Sequence, residues 1–428
     1  MAHFGVVAPA FFSHFSAQSA LASELVDRGH RVTFFQQIDA GDHLADPRLG
    51  FHALGAASHP RGSFAAVMAR AANPGSPLGL RRVIGDMARG TDMLCRELPA
   101  ALAAEGVDFL IADQMEAAGG LVAEALNMPF VSVACALPVN REPGIPLPVM
   151  PFAYGTSERD LQMYQGSTRV YDWLMTPHRK VIEQHARAFG LSPRGMLHEC
   201  LSPLAQVSQT TEGFDFPRRA LPANFHHVGP LRSASGASLA RDPMPAVDPH
   251  KPFVFASFGT MQGHRFGLFK RVAKACRALD VQLLIAHCGG LDEAQARALQ
   301  EAGANWVCAF GPQRELLARA DVVVSHAGSN TVMDAIEART PILALPIAFD
   351  QPGTAARVAY AGIGLQASPR FVTTAHLRRM LRQLLDKSTF QQRLDIMAEE
   401  LAQAGGTRRA ADIIEAAVGA AQPVAQSA

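Results

Sequence analysis

One turn in this chain has the residue types of an anion-binding site. Residues 321–325 read DVVVS, a short β-branched run typical of a parallel strand that is buried on both faces. The small and polar residues of 326–331 follow at once, and apolar residues then recur at helical spacing. Such a strand-to-helix turn leaves unpaired N–H groups at a helix start, where the helix dipole is positive. The segment predicts a phosphate site, although Ser329, Asn330 or Thr331 as an ordinary helix cap fits the same letters.

Two further loops are expected at the same edge of one sheet. Phe310 and Gln313 lie at the end of the apolar run NWVCAF and just after it, and Asp350 and Gln351 follow the run PILALP. In open α/β sheets, ligands bind outside the carboxyl ends of the strands. The three loops together therefore predict a binding site for a phosphate-bearing ligand.

His14 and Asp113 are candidates for acid–base chemistry. His14 follows the first apolar run, GVVAP, where a loop is expected to lead into a helix that begins near Ser16 and is capped by Ser13 or Ser16. Asp113 ends the run FLIAD. Histidine, with an ordinary pKa near 6.5, suits a base that works near neutral pH. From position alone, His14 could equally be a surface or helix-capping histidine. Asp113 could likewise be an ordinary helix cap.

Strand-like runs alternate with helical patterns along the chain, which predicts an α/β fold with parallel sheets built from βαβ units. We expect an amino-terminal domain at 1–231, a Ser/Pro/Ala/Gly-rich linker at 232–251 and a carboxyl-terminal domain at 252–418. Residues 419–428 have the composition of a disordered tail.

The three loops of the second half resemble the donor-binding signature of the UDP-glycosyltransferase superfamily, whose plant members read WAPQ, HCGWNS, E and DQ. The resemblance implies that Phe310 stacks on the base in place of Trp and that Gln313 is the matching Gln. Asp334 falls at the acidic position that holds the ribose hydroxyls, where the family has Glu.

The same resemblance assigns the diphosphate and sugar contacts. His326 matches the His that meets the diphosphate, and Asp350 and Gln351 match the pair that grips the sugar hydroxyls. The phosphate turn is completed by Gly328, Ser329, Asn330 and Thr331, with Ser329 in place of Trp.

The superfamily also pairs a His in the first loop with an Asp about a hundred residues later, which here are His14 and Asp113. The implied chemistry is that His14 takes the proton from an acceptor hydroxyl while Asp113 orients the ring and stabilises the imidazolium. The chain has no Asp-x-Asp pair to hold a metal. We expect fixed donors of the His326 turn, and of the SFGT turn at Gly259 and Thr260, to stabilise the leaving diphosphate.

Nearly the whole chain, including CALPVNREPGIPLPVMPFAYG and ASFGTMQGHRFGLFK, is similar to the bacterial zeaxanthin glucosyltransferases within this superfamily. The resemblance implies a GT-B fold, two Rossmann-like domains that face each other across a cleft. It also implies UDP-glucose as donor, inversion at the anomeric carbon, no cofactor, and zeaxanthin as acceptor. The Pro-rich segment 138–155 either walls a long apolar pocket or is a packed connecting loop.

Composition limits the partners and the compartment. A formal net charge of +1 does not give the excess of basic residues that is typical of nucleic-acid-binding proteins. The amino terminus lacks a signal-peptide pattern, and no apolar run approaches the roughly 20 residues of a membrane span. We expect a cytoplasmic protein that at most touches the membrane surface, with free thiols and no metal site, since none of the cysteines has CxxC spacing. The six cysteines are Cys95, Cys135, Cys200, Cys276, Cys288 and Cys308.

Two other functions remain open from the residues. One is a macrolide or other natural-product glycosyltransferase that uses a UDP- or dTDP-sugar, since a stacking Phe310 accepts uracil and thymine alike. The other is a non-catalytic protein that binds a nucleotide and a hydrophobic ligand on the same fold. The presence of both His14 and Asp113 counts against the second.

Overall fold

Two parallel β-sheets carry the fold, and every strand pair in them is parallel. The computed structural model describes residues 1–233, 245–386 and 388–421. The runs FLIAD and FVFAS are buried at every position, as strands covered by helices on both faces should be. The predicted α/β fold class is confirmed.

The first sheet has the strand order β3-β2-β1-β4-β5-β6-β7. Its strands are β1 (His3–Val7), β2 (Arg31–Gln37), β3 (Gly50–Leu54), β4 (Phe109–Asp113), β5 (Phe130–Ala134), β6 (Gln206–Ser208) and β7 (Phe225–His227). Its helices are α1 (Phe12–Asp27), α2 (Ser63–Ala72), α3 (Pro77–Glu105), α4 (Ala117–Ala125), α5 (Glu158–Leu174) and α6 (Thr176–Ala188), with short 3₁₀ turns at Ile38–His43 and Leu197–Glu199. The strand order reverses between β1 and β4, which marks the crevice where ligands bind in such sheets.

The second sheet has the order β10-β9-β8-β11-β12-β13, with its reversal between β8 and β11. Its strands are β8 (Phe253–Ser257), β9 (Gln282–Ala286), β10 (Trp306–Cys308), β11 (Val322–Ser325), β12 (Ile342–Ala344) and β13 (Gly364–Gln366). The helices that follow are α7 (Gly259–Gln262), α8 (Phe266–Arg277), α9 (Glu293–Ala302), α10 (Gln313–Arg319), α11 (Ser329–Glu337), α12 (Gln351–Tyr360), α13 (Thr374–Leu385), α14 (Ser388–Gln403) and α15 (Gly406–Ala421).

The last helix, α15, returns to the amino-terminal sheet. Its residues Ala410 and Ile414 are buried in one core cluster with Phe15 and Leu21 of α1. Arg28, the residue after α1, forms ion pairs with two acidic residues of α15. The predicted domain limits placed residues up to 418 with the carboxyl-terminal sheet, so the structure divides the chain differently at this end.

Parts of two predicted segments lie outside the described residues. These parts are 234–244 of the expected linker and 422–428 of the expected tail. Residues 419–421, which the prediction assigned to the tail, form the end of α15.

The two domains touch across the cleft. Gly353 N donates to the Pro148 carbonyl oxygen at 3.1 Å, so the Pro-rich segment contacts α12. Arg357 of α12 is fully buried, and its Nε lies 2.6 Å from the carboxylate of Asp215, which follows β6. No helix in the described ranges has both the length and the apolar character that crossing a membrane requires.

Candidate functional site

The first turn of α1 places His14 beside the end of β4. His14 Nδ1 lies 2.7 Å from Asp113 Oδ2, and the other carboxylate oxygen of Asp113 accepts a hydrogen bond from Met115 N at 2.9 Å. Asp113 is buried, and its hydrogen bonds to His14 and Met115 fix the orientation of its carboxylate. β1 and β4 are adjacent where the strand order reverses, and this brings together two residues that are 99 positions apart.

The sequence prediction of how α1 begins was wrong. The helix starts at Phe12 rather than near Ser16, and neither Ser13 nor Ser16 caps it, because the cap position is Phe11 and makes no side-chain cap bond to any described residue. Burial of Phe15 against the first sheet extends the helix towards β1. His14 is therefore held by helical backbone and not by a loop.

The His14–Asp113 bond fixes the protonation pattern of the ring. An ionised carboxylate can only accept, so Nδ1 carries the proton and Nε2 keeps its lone pair. Burial alone would lower the pKa of His14, but the charge and hydrogen bond of Asp113, with a smaller effect of Asp350, raise that pKa above its usual value. The ring can therefore accept a proton and keep it.

Cys135, just after β5, lies beside this pair. The ligand atoms of His14, Asp113 and Cys135 are within 4.8 Å of one another, and no other such group of possible metal ligands occurs among the described residues. Burial raises the pKa of the Cys135 thiol well above its usual value, so the thiol stays protonated. A protonated thiol is a poor metal ligand.

The turn between β11 and α11 has the geometry expected of an anion site. Ala327 has a left-handed backbone, with φ of 64°, and Gly328 occupies the cap position of α11. No side chain of a described residue caps this helix. Ser329 Oγ instead donates to Asp350 Oδ2 at 3.1 Å, so the interpretation of Ser329 as an ordinary cap was wrong. The first N–H groups of α11 remain for a ligand, and Asn330 and Thr331 belong to the same turn.

His326 is enclosed by two glycines. A Cβ at Gly259 would lie 2.9 Å from the His326 ring, and a Cβ at Gly328 would lie 2.6 Å from His326 Nε2. Only glycine leaves room for the imidazole at both places. Burial lowers the pKa of His326 to about 4, opposed by a hydrogen bond to the backbone of Ser257. The ring is neutral near pH 7 and carries a single N–H, for which the Ser257 backbone is a partner.

The predicted base and ribose residues gather at α10 and α11. Gln313 Nε2 donates to Asp334 Oδ2 at 2.7 Å, and Asp334 also pairs with Arg232 from the segment after β7. Burial raises the pKa of Asp334, and the charge of Arg232 and the hydrogen bond of Gln313 oppose that rise. Phe310 is half-buried in the loop before α10, and Thr260 is exposed on α7, both at the same sheet edge.

The predicted sugar residues lie between the domains. Asp350 Oδ2 accepts from Ser329 and from Leu137 N, at 3.1 and 3.4 Å. Its burial raises its pKa, while those two donors and His14 lower it. Gln351 Oε1 accepts from the backbone N–H groups of two residues of the preceding loop, at 2.8 and 2.9 Å. Gln351 thus shapes the loop and leaves only its Nε2 for a ligand.

An aromatic group beside His14 was missed by the sequence reasoning. The ring centroids of Phe11 and Phe349 are 6.2 Å apart, and those of Phe11 and Phe64 are 5.7 Å apart. Phe349 belongs to the other domain, is 39% exposed and has a left-handed backbone with φ of 56°. Such a conformation in a bulky residue is strained and is typical of functional sites. The three rings give the cleft an apolar wall next to the proposed base.

Comparisons with known protein families agree with this geometry. The family model described as UDP-glucoronosyl and UDP-glucosyl transferase matches residues 86–399. The chain is 52% identical to a zeaxanthin glucosyltransferase of Pantoea ananas, over 99% of this chain and 98% of that one. It is 47% identical to a zeaxanthin glucosyltransferase of Pseudescherichia vulneris, over 99% of this chain and 100% of the relative.

A solved structure agrees with the fold. The glycosyltransferase of kitacinnamycin superposes with a TM-score of 0.77 at 20% identity, covering 97% of this chain and 99% of that one. The predicted arrangement of two Rossmann-like domains, the GT-B fold, is confirmed.

Proposed function

Since the chain belongs to the family of UDP-glucoronosyl and UDP-glucosyl transferases and is a glycosyltransferase, we propose that it moves glucose from UDP-glucose to the hydroxyls of zeaxanthin. Zeaxanthin carries a hydroxyl on each terminal ring, so a monoglucoside forms first and a diglucoside second. The observation that carries the proposal is the 2.7 Å bond between His14 and Asp113, at the cleft edge that Asp350 and the His326 turn also face.

The proton transfer starts at His14 Nε2. Because Nδ1 is bonded to Asp113, Nε2 takes the proton of the acceptor hydroxyl as that oxygen attacks the anomeric carbon. The buried charge of Asp113 then stabilises the imidazolium. Attack from the side opposite the leaving UDP inverts the anomeric configuration.

The leaving diphosphate takes up negative charge as the glycosidic bond breaks. The N-terminus of α11 offers fixed N–H donors for it, and the neutral His326 ring lies beside them in the same turn. We propose that these donors replace a metal ion. The proposal is supported by the sequence, which has no Asp-x-Asp pair of the kind that holds a metal in many transferases.

The apolar wall of Phe11, Phe64 and Phe349 supports a hydrophobic acceptor. A carotenoid end ring packs against aromatic side chains through apolar burial, at roughly 25 cal/mol per Å². The names of the two relatives at 52% and 47% identity support zeaxanthin as that acceptor.

A carotenoid resides in the bilayer, and we propose that α5 touches the membrane surface. Met163, Val170 and Trp173 have the spacing of one helix face and are 40%, 56% and 68% exposed. Arg169 on the same helix is exposed and suits anionic headgroups. Flotation with anionic liposomes should recover the wild type, and Trp173→Ala together with Val170→Ala should reduce recovery several-fold, roughly as expected for lost apolar burial. Equal recovery of both proteins would refute this contact.

The test of the function is an incubation of purified protein with zeaxanthin in detergent micelles and a panel of UDP- and dTDP-sugars. UDP-glucose should give the monoglucoside and then the diglucoside, and the β-anomeric product from the α-linked donor would demonstrate inversion by NMR. β-Carotene, which has no hydroxyl, should remain unchanged. His14→Ala should lower turnover by about a hundred- to ten-thousand-fold, with UDP binding retained. Transfer to a macrolide but not to zeaxanthin would refute the acceptor, and UDP binding without transfer to any acceptor would support a non-catalytic protein.

A further inference from the structure

The chain passes between the two domains at two places, and these places meet. The first passage leaves β7 through Val228 and Arg232. The second joins α14 to α15 through residues 404–405 and leads into Gly406 and Thr407, the first residues of α15. Gly406 N donates to the Val228 carbonyl oxygen at 2.6 Å. Arg232 N donates to Thr407 Oγ1 at 2.7 Å, and this hydroxyl donates to the Arg232 carbonyl oxygen at 2.8 Å. We refer to residues 228–232 and 404–407 together as the crossing point.

The side chain of Arg232 extends from the crossing point to the donor helix α11. Its guanidinium pairs with Asp334 and with Glu337, one helical turn further on. The side chain of Arg232 is 23% exposed and that of Asp334 is 10% exposed, so the first pair is largely shielded from solvent. Asp334 is the residue proposed to hold the ribose, and α11 begins at the proposed diphosphate turn.

We propose that Arg232 is a donor-positioning residue that holds the Asp334 carboxylate in place for the ribose hydroxyls of the nucleotide. The inference rests on the proposed donor site. A carboxylate has about four lone-pair sites and can accept from Arg232, Gln313 and a ribose diol at the same time. The two protein donors approach different oxygens, Oδ1 and Oδ2, so together they fix the plane of the carboxylate.

The charge of Arg232 also favours the form of Asp334 that binds hydroxyls best. Burial opposes the ionised form of Asp334 and raises its pKa, and the positive charge of Arg232 opposes that rise. An ionised carboxylate accepts hydrogen bonds from hydroxyls about twice as strongly as a neutral acceptor does. Because Arg232 is anchored at the crossing point, the ribose site is linked to the place where the two domains join.

The experiment measures binding of UDP and of 2′-deoxy-UDP by calorimetry to four proteins: wild type, Arg232→Ala, Arg232→Lys and the control Arg314→Ala. Arg314 is matched because it also pairs with Glu337 but is 60% exposed. It forms no ion pair with Asp334 in the described part of the chain, and its charge affects Asp334 less than that of Arg232 does. We expect Arg232→Ala to weaken UDP binding about ten-fold or more, the usual effect of losing a charge-assisted hydrogen bond. The loss for 2′-deoxy-UDP should be several-fold smaller, because Asp334 has then lost one of its ligand hydroxyls. Arg232→Lys should be intermediate and Arg314→Ala close to wild type.

The outcomes separate the inference from the function on which it rests. Equal losses for UDP and 2′-deoxy-UDP would assign Arg232 a general structural role and overturn the inference. Tighter UDP binding by Arg232→Ala would show that Arg232 competes with the ribose, which also overturns it, as would an equal loss in Arg314→Ala. If Arg232→Ala does not fold, Arg232→Lys decides by the same comparison. A wild type that binds neither nucleotide would refute the donor site itself.

Discussion

The substitution Asp113→Asn tests the proposed base most directly, because it removes one charge and nearly preserves shape. Asp113 is buried and lies 2.7 Å from His14 Nδ1. Two unit charges about 4 Å apart interact by about 4 kcal/mol at an effective dielectric constant of about 20. Allowing for relaxation, we expect the imidazolium formed during transfer to lose about 2 to 4 kcal/mol of stabilisation. The value of kcat/KM for the acceptor should fall roughly 30- to 1000-fold.

The pH profile of the same variant gives an independent readout. His14 must be neutral to act, and its pKa lies above the usual value near 6.5 because of Asp113, so wild-type activity should fall as the pH drops through that raised pKa. Without the Asp113 charge, burial lowers the pKa of His14, and the acid limb should move to lower pH. The assay is the initial rate of glucoside formation between pH 5 and 9 at limiting acceptor. An acid limb at the same pH in both proteins, or a wild-type rate in Asp113→Asn, would refute the assignment of His14 as base.

Three further predictions concern the donor site. Excess EDTA should leave the rate nearly unchanged, while His326→Ala should weaken UDP binding and slow transfer together; loss of activity on chelation that magnesium restores would contradict the diphosphate site. UDP-glucose should be used well ahead of UDP-galactose, and Asp350→Ala should remove much of that preference, because a site that bonds a hydroxyl rejects sugars that misplace it; equal use of both sugars by the wild type would count against Asp350. Gly328→Ala, whose Cβ would lie 2.6 Å from the His326 ring, should weaken UDP binding about ten-fold, whereas Gly267→Ala, with no atom within 4 Å of its Cβ, should bind normally; equal affinities would contradict the steric argument.

The longer strands of both sheets were predictable because burial on both faces requires continuous apolar runs, as in FLIAD of β4 and FVFAS of β8. The strands β6, β7 and β13 were missed. Each has three residues, and sequences such as QVS and FHH are too short to show a period. The strands β10 and β12 are equally short, but they lie within the longer apolar runs NWVCAF and PILALP. Pairing with a neighbouring strand defines these strands, β5 for β6, β6 for β7 and β12 for β13, and none of these neighbours is adjacent in the sequence.

The positions of the site residues followed from strand ends. His14, Asp113 and the turn at His326 all lie at or just after the carboxyl end of a strand next to a reversal of strand order. The alternation of strands and helices in the sequence predicts that such strand ends lie at one edge of each sheet. Arg232 was missed because it pairs with Asp334 across 102 positions and belongs to a segment without periodicity. Phe349 was missed because its importance depends on a left-handed backbone and a ring from the other domain. Neither feature leaves a local signal in the sequence.

The return of α15 to the amino-terminal sheet sets an order of events during synthesis. The amino-terminal core contains Ala410, Ala411, Ile413 and Ile414 of α15, so residues 1–231 cannot complete that core when they leave the ribosome. At about 5 to 20 residues per second, the roughly 175 residues between 231 and 406 take about 9 to 35 seconds to make. During this interval the apolar face of α1 that α15 will cover remains open to solvent or to a chaperone. The carboxyl-terminal domain, which lies between the two passages, has therefore been synthesised before the amino-terminal domain can close.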